Sequence, residues 1–95
     1  MKQVEDCAER LFALADKVRL QIVQLLRSGP LNVTMIAAGI GLPAGTMSHH
    51  LKILEGVGII EGQRRGHQLV YRLHPNIFSG GDSLDLGWCK LQFPG

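Results

Sequence analysis

The chain changes hydrophobic period once, at Gly58, and that change limits what it can fold into more than any other feature. Before it, apolar residues recur every three to four positions, as one face of a helix requires; after it, they alternate, as a half-buried strand requires. Residues 44–57 place Met47, Leu51 and Leu54 on one helical face, and Gly58 ends that helix. Ile59-Ile60-Glu61 and His67–Leu73 then read as strands, the second alternating through Leu69, Tyr71 and Leu73. Gly62-Gln63-Arg64-Arg65-Gly66 falls between them as a turn with two arginines at its tip.

Helical spacing also fills the first forty residues. Val4, Cys7, Ala8, Leu11, Phe12 and Ala15 form an apolar stripe over 3–15. A second helix over 17–28 turns Val18, Ile22, Leu25 and Leu26 inward and Lys17, Gln21, Gln24 and Arg27 outward. Asp16 suits its N-cap, because a carboxylate there accepts the free backbone N–H groups of the first turn. Gly29-Pro30 stops it. Asn32 is the matching cap for a short helix over 33–39, with Val33, Ile36 and Ala37. Gly41-Leu42-Pro43 joins that helix to the one at 44–57, which is helix-turn-helix spacing. The expected fold is mainly α with a small β-hairpin, a winged helix-turn-helix occupying residues 1–78.

Residues 79–95 differ in character. Ser79-Gly80-Gly81-Asp82-Ser83 reads as a joint, after which Leu84, Leu86 and Trp88 alternate with Asp85 and Gly87. The alternation slips by one at Trp88-Cys89 and resumes through Leu91 and Phe93. Such a slip is how a β-bulge looks in sequence. The expectation is an apolar, extended arm over 79–95 that packs against the core or at a dimer contact.

Composition narrows the function classes. Ninety-five residues at 45% hydrophobic make one compact core, of a size that oligomerisation often supports. A net charge of +2 argues only weakly for nucleic acid. Its distribution says more: residues 44–73 carry Lys52, Arg64, Arg65 and Arg72 against Glu55 and Glu61, with three histidines. Cys7 and Cys89 are far apart and form no CxxC-type pair, which favours a reduced, intracellular protein. No signal-peptide run and no stretch of about 20 apolar residues occur, so a cytoplasmic location without membrane contact is expected. Gly-rich phosphate loops, Ser/His/Asp arrangements and paired carboxylates are missing, so an enzyme is not expected, and no cofactor or metal is called for.

The chemistry lies in the helix at 44–57 and the hairpin after it. A DNA-reading helix needs apolar residues that lock it down and small or polar residues at its N-terminal end. Thr46, Ser48, His49 and Lys52 meet the second demand, since positions 45, 48, 49 and 52 share one outward face. Hydroxyls suit phosphates or base edges, and Lys52 suits a phosphate. Taken alone this is an ordinary solvated helix face, and Arg-Arg at a turn is common surface decoration. The combination points to double-stranded DNA, with Gln63, Arg64 and Arg65 reaching the backbone or minor groove beside the helix.

The run ALADKVRLQIVQLL (13–26), MSHHLKILEGVGII (47–60) and the basic wing ending VYRL (70–73) resemble the ArsR-type winged-helix repressors over about two thirds of the chain. The resemblance implies a homodimer that binds a two-fold-related operator and releases it on a signal. By that likeness Thr46, Ser48 and His49 lie in the major groove, and Arg64 and Arg65 touch DNA from the wing. Three departures stand out. The stretch LNVTMIA (31–37) lacks the Cys-x-Cys pair of soft-metal sensors. The reading helix begins Pro43-Ala44-Gly45, without a side-chain cap or base-reading groups. The tail, with Gly80, Gly81, Gly87 and Pro94, does not read as the long C-terminal helix many members use at the dimer interface.

Dimer contacts are therefore expected from the first helix and the arm: Val4, Ala8, Leu11 and Phe12 with Trp88, Leu91 and Phe93. Cys7, Cys89, His67 and His74 could in principle assemble a sensory site across that dimer, against the plainer reading of each cysteine as a small hydrophobe. His50 reads as a packing residue. Two alternatives to a simple repressor stay open: a thiol- or metal-responsive regulator using Cys89 or Cys7, and a winged-helix module that binds proteins through its aromatic tail.

Overall fold

A computed structural model describes residues 1–94. Four helices, α1 (Lys2–Leu14), α2 (Lys17–Leu26), α3 (Val33–Ile40) and α4 (Ala44–Gly56), precede the hairpin β2 (Ile60–Arg65) and β3 (Gln68–Leu73). A two-residue strand β1 (Leu31–Asn32) pairs antiparallel with β3, giving a sheet ordered β1-β3-β2. Two residues are too short for any periodicity, so β1 leaves no mark in the sequence.

The expected caps are in place. The Asp16 carboxylate accepts from the Arg19 amide at 3.0 Å, and Asn32 Oδ1 accepts from the Met35 amide at 2.8 Å. Gly41 closes α3 in the left-handed region at φ 85°, where a side chain would be strained, and its amide bonds the Ala37 carbonyl at 2.8 Å. Pro43 leaves the first turn of α4 without a side-chain cap, as its chemistry dictates.

The wing differs from the expected five-residue turn. Arg65 pairs with Gln68, so only Gly66-His67 lies between the strands. Gly66 has φ 64° while His67 does not have positive φ, which is the type II′ pattern. Two-residue turns of this class match the right-handed twist of a hairpin, so the strands stay paired up to the glycine. Arg64 and Arg65 are therefore strand residues rather than a loop tip. Strand alternation puts Arg64 on the face of Ile60 and Leu69, and Arg65 with Gln63 on the other.

Ile22, Leu26, Ile36, Met47, Leu51, Leu54, Ile59 and Ile60 form the centre of the core. Residues 79–94 also differ from their expected form. They fold as a second small hairpin, β4 (Ser83–Asp85) with β5 (Lys90–Gln92), whose Leu84, Leu86 and Phe93 join the same core. The slip at Trp88-Cys89 marks a turn, not a bulge. There, Asp85 Oδ1 accepts from the Gly87 amide at 2.9 Å and the Leu86 amide bonds the Cys89 carbonyl at 2.8 Å.

Two arginines, Arg10 of α1 and Arg27 at the end of α2, hold this hairpin. Arg10 donates to the Val57 carbonyl at the end of α4 (3.1 Å) and to the Leu86 carbonyl (3.0 Å). Arg27 donates to the Gly81 carbonyl at 3.0 Å, and its guanidinium stands 4.2 Å from the centre of the Phe93 ring.

Candidate nucleic-acid interface

The outer face of α4 carries Thr46, Ser48, His49 and Lys52, all exposed, while Met47, Leu51 and Leu54 fasten its inner face. Gln63, Arg64 and Arg65 are exposed at the far end of β2. Among the described residues, Lys52, Arg64 and Arg65 form no ion pair. Arg72, the fourth basic residue of this region, does: its Nε donates to Glu61 Oε1 at 2.6 Å across the register of β2 and β3. His74 Nε2 lies 3.6 Å from the other Glu61 oxygen. Within residues 44–73, the basic side chains left without an ion pair are thus Lys52 on α4 and Arg64 and Arg65 on the wing; outside that region Lys17 and Lys90 are also exposed and unpaired among the described residues.

Those two elements are fixed to each other. Glu55, in the last turn of α4, accepts from the Gly62 amide of β2 at 3.3 Å. A Cβ on Gly62 would stand 3.1 Å from the Tyr71 ring and 3.4 Å from the Glu55 carboxylate, so glycine lets the wing base close onto the helix.

A second surface lies on α1. Phe12 is 76% exposed, Leu11 is 45% exposed, Ala8 is open and Val4 is half-buried. Trp88, 67% exposed, sits in the tail turn that Arg10 ties to α1. Of the arm's other expected contacts, Phe93 is only 6% exposed and packs inside its own protomer beneath Arg27, edge-on to Phe78. The reason is the hairpin turn, which folds β5 back onto the body. Leu91 is half-buried, lining an apolar groove of about 570 Å³ with Leu20, Leu25 and Ile40.

The cysteines meet within one protomer. Cys89 lies close to Cys7, and interaction with that thiol, burial and the Asp85 charge raise the Cys89 pKa above its ordinary value. The histidines do not join them. His67 is exposed in the wing turn, and His74 faces Glu61 and accepts from the Asn76 amide at 3.1 Å.

One functional candidate escaped the sequence reading. Arg19 is 8% exposed beneath α4 and touches His50. The signal was available, because position 19 lies on the same helical stripe as Ile22, Val23 and Leu26.

Comparison with known proteins agrees with this geometry. A family model described as a helix-turn-helix domain matches residues 14–63. The HTH-type transcriptional regulator NmtR of Mycobacterium tuberculosis is 43% identical over 67 residues, covering 70% of this chain and 56% of that protein. The HTH-type transcriptional repressor SmtB of the same species is 38% identical over 73 residues, covering 76% and 54%. The chain thus spans about half the length of these curated relatives. Among solved structures, the homodimeric winged helix-turn-helix DNA-binding domain Mb0332 of Mycobacterium bovis superposes with a TM-score of 0.71 at 36% identity, covering 74% of this chain and 65% of that one. The transcriptional repressor BigR of Xylella fastidiosa gives 0.68 at 35% identity, covering 76% and 74%.

Proposed function

Since this chain belongs to the ArsR-type winged helix-turn-helix transcriptional regulators, we propose that it represses transcription as a homodimer bound to double-stranded operator DNA. The family consists of regulators rather than enzymes. The observation that carries the reading is the set of exposed cations without an ion pair, Lys52 on α4 and Arg64 and Arg65 on the wing, together with the exposed hydroxyls and imidazole of Thr46, Ser48 and His49. In this reading α4 enters the major groove, where Ser48 and His49 face base edges. Lys52, Gln63, Arg64 and Arg65 contact the phosphate backbone from the helix and the wing. A protein-interaction module has no use for open cations placed this way.

Assembly follows from α1. Phe12, Leu11, Ala8 and Val4 form an apolar strip, Trp88 is a further exposed apolar side chain, and a two-fold dimer needs one self-complementary patch. Pairing there covers the strip and presents two reading helices. The work is that of a cytoplasmic protein, and no helix among the described residues is long and apolar enough to cross a membrane. Residues 1–78 serve as the DNA-binding unit and the tail hairpin buttresses it.

The salt dependence of binding tests the reading. Each phosphate contact contributes close to one unit to the slope of log affinity against log salt. Replacing Arg64 and Arg65 together with Ala should weaken binding to every duplex and reduce that slope by about two. Ser48→Ala should instead change the preferred sequence, by roughly 1–3 kcal/mol at the affected base pair. A double wing variant with unchanged affinity and slope rules out the wing contacts.

A further inference from the structure

Beneath the reading helix, three elements meet at one buried guanidinium. Arg19 donates through Nε to the Ala13 carbonyl, in the last turn of α1, and through Nη1 to His50 Nδ1 of α4 at 3.3 Å. The same Nη1 lies 3.9 Å from Asp16 Oδ2 at the cap of α2, and His50 Nδ1 is 3.8 Å from Asp16 Oδ1. Arg19 cannot accept a hydrogen bond, so in this contact His50 Nδ1 is the acceptor. No other described residue lies within ion-pair or hydrogen-bond distance of the His50 ring; on α4 itself, the His49 ring is 5.8 Å away, centre to centre.

We infer that Arg19 is a positioning residue which sets the orientation of the reading helix relative to α1, and thereby the separation of the two DNA half-sites. The inference rests on the reading that the Leu11-Phe12 face of α1 joins the subunits. Ala13 directly follows that face, and His50 directly follows His49 on the DNA side. A rigid planar fork spans from one to the other, where a flexible single-point cation such as lysine does not. The Ala13 carbonyl is one of the orphan acceptors at a helix C-terminus, where a cation is also favoured by the helix dipole. The apolar contacts of Met47, Leu51 and Leu54 keep α4 in place without this link. They resist its rolling less, because apolar packing is non-directional whereas a two-ended hydrogen-bonded bridge fixes direction. Moving one half-site by a single base pair displaces it by about 3.4 Å along the duplex axis and turns it by about 35° around that axis, so the preferred spacing reads out the orientation in which α4 is held.

In vitro selection from random-sequence duplexes by the intact chain reads both quantities at once, the half-site sequence and the distance between half-sites. The unaltered protein should select paired half-sites at one spacing. Arg19→Lys and His50→Leu should select the same half-site at two or more spacings, with the once-preferred spacing bound less than threefold better than its neighbours. His50→Asn, whose amide oxygen replaces Nδ1 as acceptor, should restore the single spacing. The His50 variants leave Arg19 on Ala13 and guard against a failure of Arg19→Lys to fold. If all folded variants keep one spacing as sharp as the original, the inference fails while the dimeric reading stands. If the unaltered chain selects only isolated half-sites, the dimeric reading fails and the inference with it. If affinity drops equally at every spacing, Arg19 is a stabilising residue only and the inference is again overturned.

Discussion

Replacing Leu86 with Ala should destabilise each protomer by about 3 kcal/mol, and the structure explains both the size and the place of the loss. Leu86 is fully buried, in a tail that the sequence leaves free to pack either on its own core or on a partner subunit. Buried Leu→Ala changes cost roughly 2–5 kcal/mol, the upper values arising where the surroundings cannot collapse into the cavity. Collapse is restricted here, because the Leu86 carbonyl stays bonded to Arg10 and its amide to the Cys89 carbonyl whatever the side chain. At about 4–8 °C per kcal/mol for a domain of this size, the melting temperature should fall by roughly 12–24 °C. Urea unfolding followed by far-UV circular dichroism measures the loss as a shift in midpoint at constant slope. Trp88, the chain's one tryptophan, is 67% exposed and would report unfolding poorly. The measurement is repeated in Phe12→Glu, which places a charge on the exposed α1 face to separate the subunits. An equal loss per protomer in both backgrounds places the hairpin on its own chain. A loss below about 1 kcal/mol, or one confined to the dimeric background, would refute the reasoning.

Other outcomes follow from the same geometry. The reaction of Cys89 with iodoacetamide should rise at higher pH than that of an ordinary thiol, and Cys7→Ala should shift its rate profile to lower pH by removing the neighbouring thiol. The Asp16 carboxyl is held below its ordinary value of 3.8, first by the Arg19 amide and then by the charge of the Arg19 guanidinium, against a partial burial penalty. Its contribution to stability is therefore present above that pH and lost as the pH falls through the depressed value. The stability gap between the unaltered chain and Asp16→Asn, read by denaturation across pH, should accordingly close in acid. Gly66→Val should unsettle the wing turn, since a β-branched residue is strained at φ 64°, and should reduce DNA affinity without changing which half-site is preferred.

Much of the protein was legible in the chain itself. The period change at Gly58, the caps at Asp16 and Asn32 and the glycine stop at Gly41 are local signals with local causes, and each element they delimit is present within a few residues. The outward residues of α4 could be read for the same reason, because a helix's own geometry decides which side chains share a face. The rest depends on what the elements meet. The arginines at 64 and 65 look like a loop tip until strand pairing runs on to Gly66. The slip at Trp88-Cys89 has one sequence signature whether the chain bulges or reverses, and only packing of Leu84, Leu86 and Phe93 against the body selects reversal. Arg10 and Arg27 look like surface charges and Arg19 only like a misplaced charge on an apolar stripe, and all three become brackets because carbonyls of other elements come within their reach. Side-chain periodicity records which residues leave water; it carries no record of which distant backbone oxygen waits for a buried guanidinium, and that only the tertiary structure decided.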